Sequence, residues 1–202
     1  MYNKVMQKIN YNQKMKQQLS SLSGKPKLLL HVCCAPCSSG VIPRLKQFFD
    51  ITLYYFNPNT YPEAEYNLRV QQFAKLCDLP LVVCDYNHNQ FLTSIKGYEQ
   101  DIEGGLRCQK CIALRLENSF EYAKQNNYDY VTTTLSISPH KDSDFINTCG
   151  QELEKRYSVD YLFADFKKEN GYLASITESK RLDLYRQDYC GCEFSMYKPE
   201  NI

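Results

Sequence analysis

The sequence predicts an α/β fold built on a parallel β-sheet, and three observations carry that prediction. Five short apolar runs of strand length alternate with segments whose apolar residues recur at helical spacing. No internal repeat or low-complexity linker breaks the alternation. Cysteines and polar residues gather immediately after the apolar runs, at the strand ends where parallel sheets form their sites.

Residues 27–32 read as a buried strand, because Leu28-Leu29-Leu30 is an unbroken apolar run. Over 38–49, Val41, Ile42, Leu45 and Phe48 share one helical face. Residues 51–56 form a second strand, and Asn57-Pro58-Asn59 turns the chain. Thr60-Tyr61-Pro62-Glu63 has the spacing of a capping box, opening a helix that reaches Cys77. Residues 81–84 are a third strand, followed by a helix through Phe91, Leu92 and Ile95. A loop over 97–107 containing Gly104-Gly105 delivers Cys108 to a helix over 109–125. The fourth strand, 130–137, ends in Ser138-Pro139-His140-Lys141, and a helix over 144–157 follows. The fifth strand, 161–166, leads through Lys167-Lys168 to a last helix over 173–186 and the tail Tyr189-Cys190-Gly191-Cys192. The expected organisation is a flexible basic extension over 1–26 and a single α/β catalytic domain over 27–202 with a C-terminal CxC tail.

At 202 residues the chain can bury a real core, and no apolar run approaches the length of a membrane span. A net charge of +1 provides no global field for a polyanion, so nucleic-acid contact must rest on local clusters such as Lys167-Lys168 or Lys180-Arg181. The first 27 residues carry Lys4, Lys8, Lys14, Lys16, Lys25 and Lys27, no acid and no apolar h-region, which argues against a secretory signal. That segment is either a solvated extension or a basic arm that touches nucleic acid. Ten cysteines without an export signal point to a reducing, cytoplasmic compartment, where thiols stay free or bind metal.

The cysteines fall into groups. In His31-Val32-Cys33-Cys34-Ala35-Pro36-Cys37, three thiols crowd the end of the first strand, and a disulfide between adjacent Cys33 and Cys34 would need a strained ring. Cys34-x-x-Cys37 and Cys108-x-x-Cys111 are two CxxC pairs about seventy residues apart, too far for a local zinc ribbon, so the fold must assemble them. Thiolate-rich sites suit zinc or an iron–sulfur cluster. The fifth thiol exceeds what a closed zinc site uses and favours the cluster. Cys190-Gly191-Cys192 keeps its Cα atoms within about 7 Å, inside disulfide range, and a strained disulfide there suits electron transfer. The alternative is a further ligand pair. Cys77, Cys84 and Cys149 stand alone and read as small buried hydrophobes.

Together HVCCAPC, YFNPNTYPEAEYNLR, GLRCQKCIALRL, TTTLSISPHK, DFKKENGY and LYRQDYCGC resemble the QueH-type epoxyqueuosine reductases, in order from Lys27 to Phe194. The resemblance implies a fold related to the adenine-nucleotide alpha-hydrolase group and a tRNA-modifying reductase. Such an enzyme removes the epoxide oxygen of epoxyqueuosine at the tRNA wobble position, the last step to queuosine. It implies a [4Fe-4S] cluster on Cys33, Cys34, Cys108 and Cys111, and a redox-active pair at Cys190 and Cys192. It also implies an additional mononuclear iron to which Cys37 could contribute. The expected partners are tRNA bearing epoxyqueuosine in its anticodon loop and an external electron donor. Asp165, Lys167, Tyr61 and Glu63 are candidate proton sources. Arg69, Arg107, Lys141 and Arg186 are candidate phosphate contacts. Two rivals are a zinc-stapled RNA-binding module and an ATP-dependent tRNA-thiolating enzyme. The second requires a phosphate-binding loop that the sequence after the first strand lacks.

Overall fold

A computed structural model describes residues 9–196. Its architecture follows from β1 (Lys27–His31), whose Leu28, Leu29 and Leu30 are all fully buried. A strand covered on both faces belongs at the centre of a sheet. β1 pairs in parallel with β2 (Asp50–Tyr55) on one side and β4 (Tyr130–Thr133) on the other. β3 (Leu81–Val83) extends the sheet beyond β2, and β5 (Asp160–Tyr161) extends it beyond β4, all parallel. The order β3-β2-β1-β4-β5 is that of a Rossmann-like fold. The chain winds outward in one direction from β1 and in the other from β4. The crevice beyond the carboxyl ends of β1 and β4 is therefore the topological switch point.

Alternate residues of β1 feed two cores. Leu28 and Leu30 pack with α2 (Ala35–Leu45), while Leu29 faces α5 (Leu106–Gln125) and α6 (Ser143–Tyr157). α7 (Gly171–Arg181) lies against α2. Their approach is so close that a Cβ on Gly40 would sit 2.8 Å from Ser175 Cβ and 2.9 Å from the Gly171 carbonyl. α3 (Glu63–Gln71) and a following 3-10 turn add Tyr66 and Phe73 to the first core, and α4 (His88–Ser94) packs beside α5. No described helix is long and apolar enough to cross a membrane.

Several boundaries differ from the sequence reading for identifiable reasons. α2 begins at Ala35, with Pro36 in its first turn where a missing N–H costs nothing, so Cys34 becomes the N-cap and Cys37 lies in the first turn. Residues 134–137 leave the sheet as a 3-10 turn, because the Thr133 hydroxyl accepts a hydrogen bond from Leu135 N and tightens the backbone. Thr60 does not cap α3. The N-cap is Pro62, without a side-chain bond, and Thr60 is buried.

The expected flexible extension is replaced over 11–21 by α1 (Tyr11–Ser21), N-capped by the Asn10 side chain on Gln13 N. α1 buries Tyr11 and Met15 and covers the edge beyond β5. There the Gln18 amide donates to the Tyr161 carbonyl at 2.9 Å and accepts from Phe163 N at 2.9 Å. A helix thus satisfies backbone groups that an open edge would expose. Residues 1–8 of the expected extension lie outside the described residues. Met15→Ala should cost about 2–5 kcal/mol in urea unfolding, the range for truncating a buried core side chain. A solvated extension would show no loss.

Candidate functional site

His31 closes β1 inside the protein. Its Nε2 sits 3.1 Å from the Phe56 carbonyl, which can only accept, so Nε2 carries the proton and Nδ1 accepts from Thr133 Oγ1 at 2.8 Å. Burial, reinforced by nearby Arg115, lowers its pKa to about 4, so the ring is neutral. Two residues on, Cys33 is tied to β4: its N–H donates to Thr134 Oγ1 at 3.2 Å, and that hydroxyl donates to Cys33 Sγ at 3.4 Å. The start of α2 supplies Cys34 and Cys37. The three sulfurs lie within 4.8 Å of one another, with Cys33 and Cys34 Sγ atoms 3.8 Å apart. Hydrogen bonds from Cys34 and Cys37 hold the Cys33 thiol well below its ordinary pKa. The same coupling to Cys33 pushes Cys34 up to about 12 and Cys37 well above the thiol range.

Cys108 and Cys111 occupy the first turns of α5, where Gly104 N donates to Cys108 Sγ at 3.2 Å. They are not part of the tight sulfur triad. With Asn59, Phe91, Cys190 and Cys192 they line a small adjoining pocket. The main cavity, about 360 Å³, is lined by the triad together with Arg69, Glu103, Tyr172, Arg186 and Tyr189. Arg115, Lys141 and Cys190 line both spaces and join them.

Those three residues set the electrostatics. Arg115 is 3% exposed, and it donates to the Cys111 carbonyl at 3.1 Å and to Asn57 Oδ1 at 3.4 Å. Among the described residues it has no carboxylate partner. The groups near it that can take a negative charge are the thiols of Cys111, Cys190, Cys33 and Cys108. Lys141 Nζ donates to Cys190 Sγ at 3.0 Å. Burial alone would raise Cys190, but Lys141 and Arg115 outweigh it and bring this thiol below its ordinary pKa. Cys192 is the opposite case. Buried against Phe91, Ile95 and Phe194 and close to Cys190, it is pushed up to about 11.

The basic residues singled out in the sequence divide. Arg69 and Arg107 are buried, 3% and 5% exposed, and, although Arg69 borders the main cavity and Arg107 the small pocket, both are engaged by groups of the protein. Arg69 pairs with Glu65 at 2.7 Å, and Arg107 donates to the Glu99 and Asp101 carbonyls. Lys141 and Arg186 line the cavity, with the Arg186 guanidinium 5.6 Å from the Tyr172 ring. Asp165 pairs with Lys167 at 3.2 Å, and Tyr61 and Glu63 are exposed; none of these four lines the cavity. Cys77, Cys84 and Cys149 pack against the cores, outside the site. Arg115 escaped the sequence reading, although the signal was present: an arginine four residues after Cys111, on the face shared by Ile112, Leu116 and Ser119.

A parallel Rossmann-like sheet with cysteines and buried cations gathered at its switch point defines a thiol-centred α/β protein. The family model described as "Epoxyqueuosine reductase QueH" matches residues 28–198. A protein of that name from Streptococcus pyogenes serotype M1 is 40% identical over 94% of this chain and 79% of its own. Another from Staphylococcus epidermidis is 36% identical over 95% and 87%, and one from Thermotoga maritima is 33% identical over 84% and 90%. The chain belongs to the QueH epoxyqueuosine reductase family, and is an oxidoreductase of that family.

Because Lys141 lowers the pKa of the Cys190 thiol, Lys141→Met should move the pH of half-maximal Cys190 alkylation upward. Peptide mass spectrometry after brief iodoacetamide treatment across a pH series measures this. An unmoved profile would remove Lys141 from that role.

Proposed function

We propose that this chain reduces epoxyqueuosine at the wobble position of tRNA to queuosine, using an iron–sulfur cluster and the Cys190/Cys192 dithiol. Family membership supports the reaction. The cofactor reading rests on Arg115, a buried guanidinium without a carboxylate, surrounded by cysteines of all three groups. A buried cation left unpaired costs several kcal/mol, so anionic sulfur is the counter-charge the site requires. The donor set fits a thiolate-ligated cluster. In this reading Cys33, Cys34, Cys108 and Cys111 hold a [4Fe-4S] cluster. Cys37, inside the sulfur triad, is left for an additional mononuclear iron.

When bound, iron supplies Lewis acidity that weakens the C–O bond of an epoxide. The remaining steps belong to the chain. Loss of the epoxide oxygen as water needs two electrons and two protons, and oxidation of Cys190 and Cys192 to a disulfide releases two of each. Lys141 and Arg115 lower the pKa of Cys190 and so favour its electron-rich form at the junction of the two cavities. In this reading Arg186 would meet the substrate's phosphates, with Lys141 as a second cation, and Tyr172 and Tyr189, which line the cavity, would offer aromatic surface to a splayed base. An external donor returns the disulfide to the dithiol, and the reducing cytoplasm is the compartment proposed.

Anaerobic purification followed by iron, acid-labile sulfide and visible-spectrum measurement tests the cofactor. Zinc without sulfide would replace this reading with a metal-stapled RNA-binding module. Cys33→Ala and Cys108→Ala should each lose most bound iron and all conversion of epoxyqueuosine-containing tRNA, whereas Cys77→Ala, Cys84→Ala and Cys149→Ala should retain both. Full iron retention in the first two would show that other residues are the ligands.

Separately, Cys192→Ser should keep iron and tRNA binding but stop multiple turnover, since a hydroxyl cannot complete a disulfide. Loss of iron in that variant would instead assign the tail to the metal site.

A further inference from the structure

The CxC turn is fastened to one short stretch of chain, residues 58–69, by contacts that avoid its sulfur atoms. Tyr61 N donates to the Gly191 carbonyl at 2.8 Å, and Tyr189 Oη donates to the Tyr61 carbonyl at 2.7 Å. Arg69 Nη1 donates to the Cys190 carbonyl at 3.4 Å, while its Nε is held by Glu65 Oε1 at 2.7 Å. Glu65 is steadied in turn by Tyr185 Oη on its other oxygen, at 3.0 Å. The Tyr189 ring lies 5.4 Å from the Arg69 guanidinium. Past the turn, His88 bridges the Pro58 carbonyl (2.8 Å) and Glu193 (2.9 Å).

Gly191 completes the fit. Its φ of +127° is one that L side chains rarely adopt, and a Cβ there would lie 2.9 Å from Arg69 Nη1 and 3.4 Å from Asn59 Nδ2. Backbone and guanidinium are packed as closely as the absence of a side chain permits. With the turn held this way, the two sulfurs engage separate partners, Lys141 for Cys190 and Ser195 for Cys192. Joining them requires both side chains to leave those partners.

We infer that Arg69, anchored by Glu65, is a positioning residue that holds the Cys190-Gly191-Cys192 turn in its dithiol arrangement and so sets how readily the pair oxidises. This rests on the reading of Cys190 and Cys192 as a redox pair. The Arg69 contact is charge-assisted and buried, so its loss should shift the dithiol–disulfide equilibrium about tenfold toward the disulfide.

The test equilibrates iron-loaded enzyme anaerobically with mixtures of reduced glutathione and glutathione disulfide. In the reaction, the S–S bond of glutathione disulfide breaks, a Cys190–Cys192 bond forms, and the two thiol protons leave with two glutathione molecules. Acid quenching and intact mass then count the form lighter by two hydrogens. Glu65→Gln/Arg69→Met removes both charges together and leaves no buried carboxylate unpaired. Arg69→Lys keeps a cation beside Glu65 but lacks the planar fork that reaches the Cys190 carbonyl, leaves the Gly191 backbone untouched, and keeps the inference testable if the double variant fails to fold. Both should favour the disulfide about tenfold relative to wild type, with iron content unchanged. An equilibrium within twofold of wild type in either folded variant overturns the positioning role, as does loss of iron. A wild-type enzyme that forms no disulfide at any glutathione ratio would instead overturn the redox-pair reading beneath it.

Discussion

A guanidinium buried without a carboxylate is the constraint on which this site depends. Arg115 lies on the inner face of α5, with neutral Asn57 and the Cys111 carbonyl as its hydrogen-bond acceptors. Its positive charge is tolerable only if sulfur nearby is negative. The dependence is mutual, because thiolates packed this densely would repel one another without a fixed cation among them. Lys141 adds a second positive charge where the two cavities meet. The result is a site in which two buried cations lie among cysteines from distant parts of the chain and bring one of them, Cys190, below its ordinary pKa.

The fold reinforces that electrostatic bias. Cys34 is the N-cap of α2 and Cys37 lies in its first turn, while Cys108 sits in the first turn of α5. Helix N-termini carry unsatisfied N–H groups and partial positive charge, yet at Cys34 and Cys37 the crowding against Cys33 outweighs it and both thiols lie above their ordinary pKa. A doubly wound sheet points the N-termini of its helices toward the carboxyl ends of its strands, and the switch point between β1 and β4 is where they converge. One topological rule therefore supplies both the crevice and part of its charge. The close contact of α2 with α7 at Gly40 fixes α2, and with it the sulfur triad, against the sheet.

The parallel sheet was legible in the sequence because apolar runs of strand length alternate with helical segments, and because Leu28-Leu29-Leu30 is a run that two-sided burial explains. The cysteine groups were legible because thiols resist random placement. What escaped notice was decided by tertiary context. Nothing local in residues 11–21 says that Gln18 will cap the edge beyond β5, since the groups it bonds lie more than 140 residues away. Thr60 has the spacing of a helix cap, yet the turn from Asn57 to Pro62 buries it. Arg69 and Arg107 looked like phosphate contacts because arginine is normally exposed. Their burial follows from acceptors supplied by Glu65 and by the loop carbonyls of Glu99 and Asp101.

The two cysteines of the tail are chemically equivalent in the sequence and inequivalent in the fold. Cys190 faces Lys141 at the mouth between the cavities, whereas Cys192 is sealed beneath Phe91 and Phe194. Gly191 lets one short turn bridge these environments, because only a residue without Cβ accepts both its φ and the guanidinium pressed against it. The segment that follows β2 thus sits at the carboxyl edge of the sheet and also holds the tail.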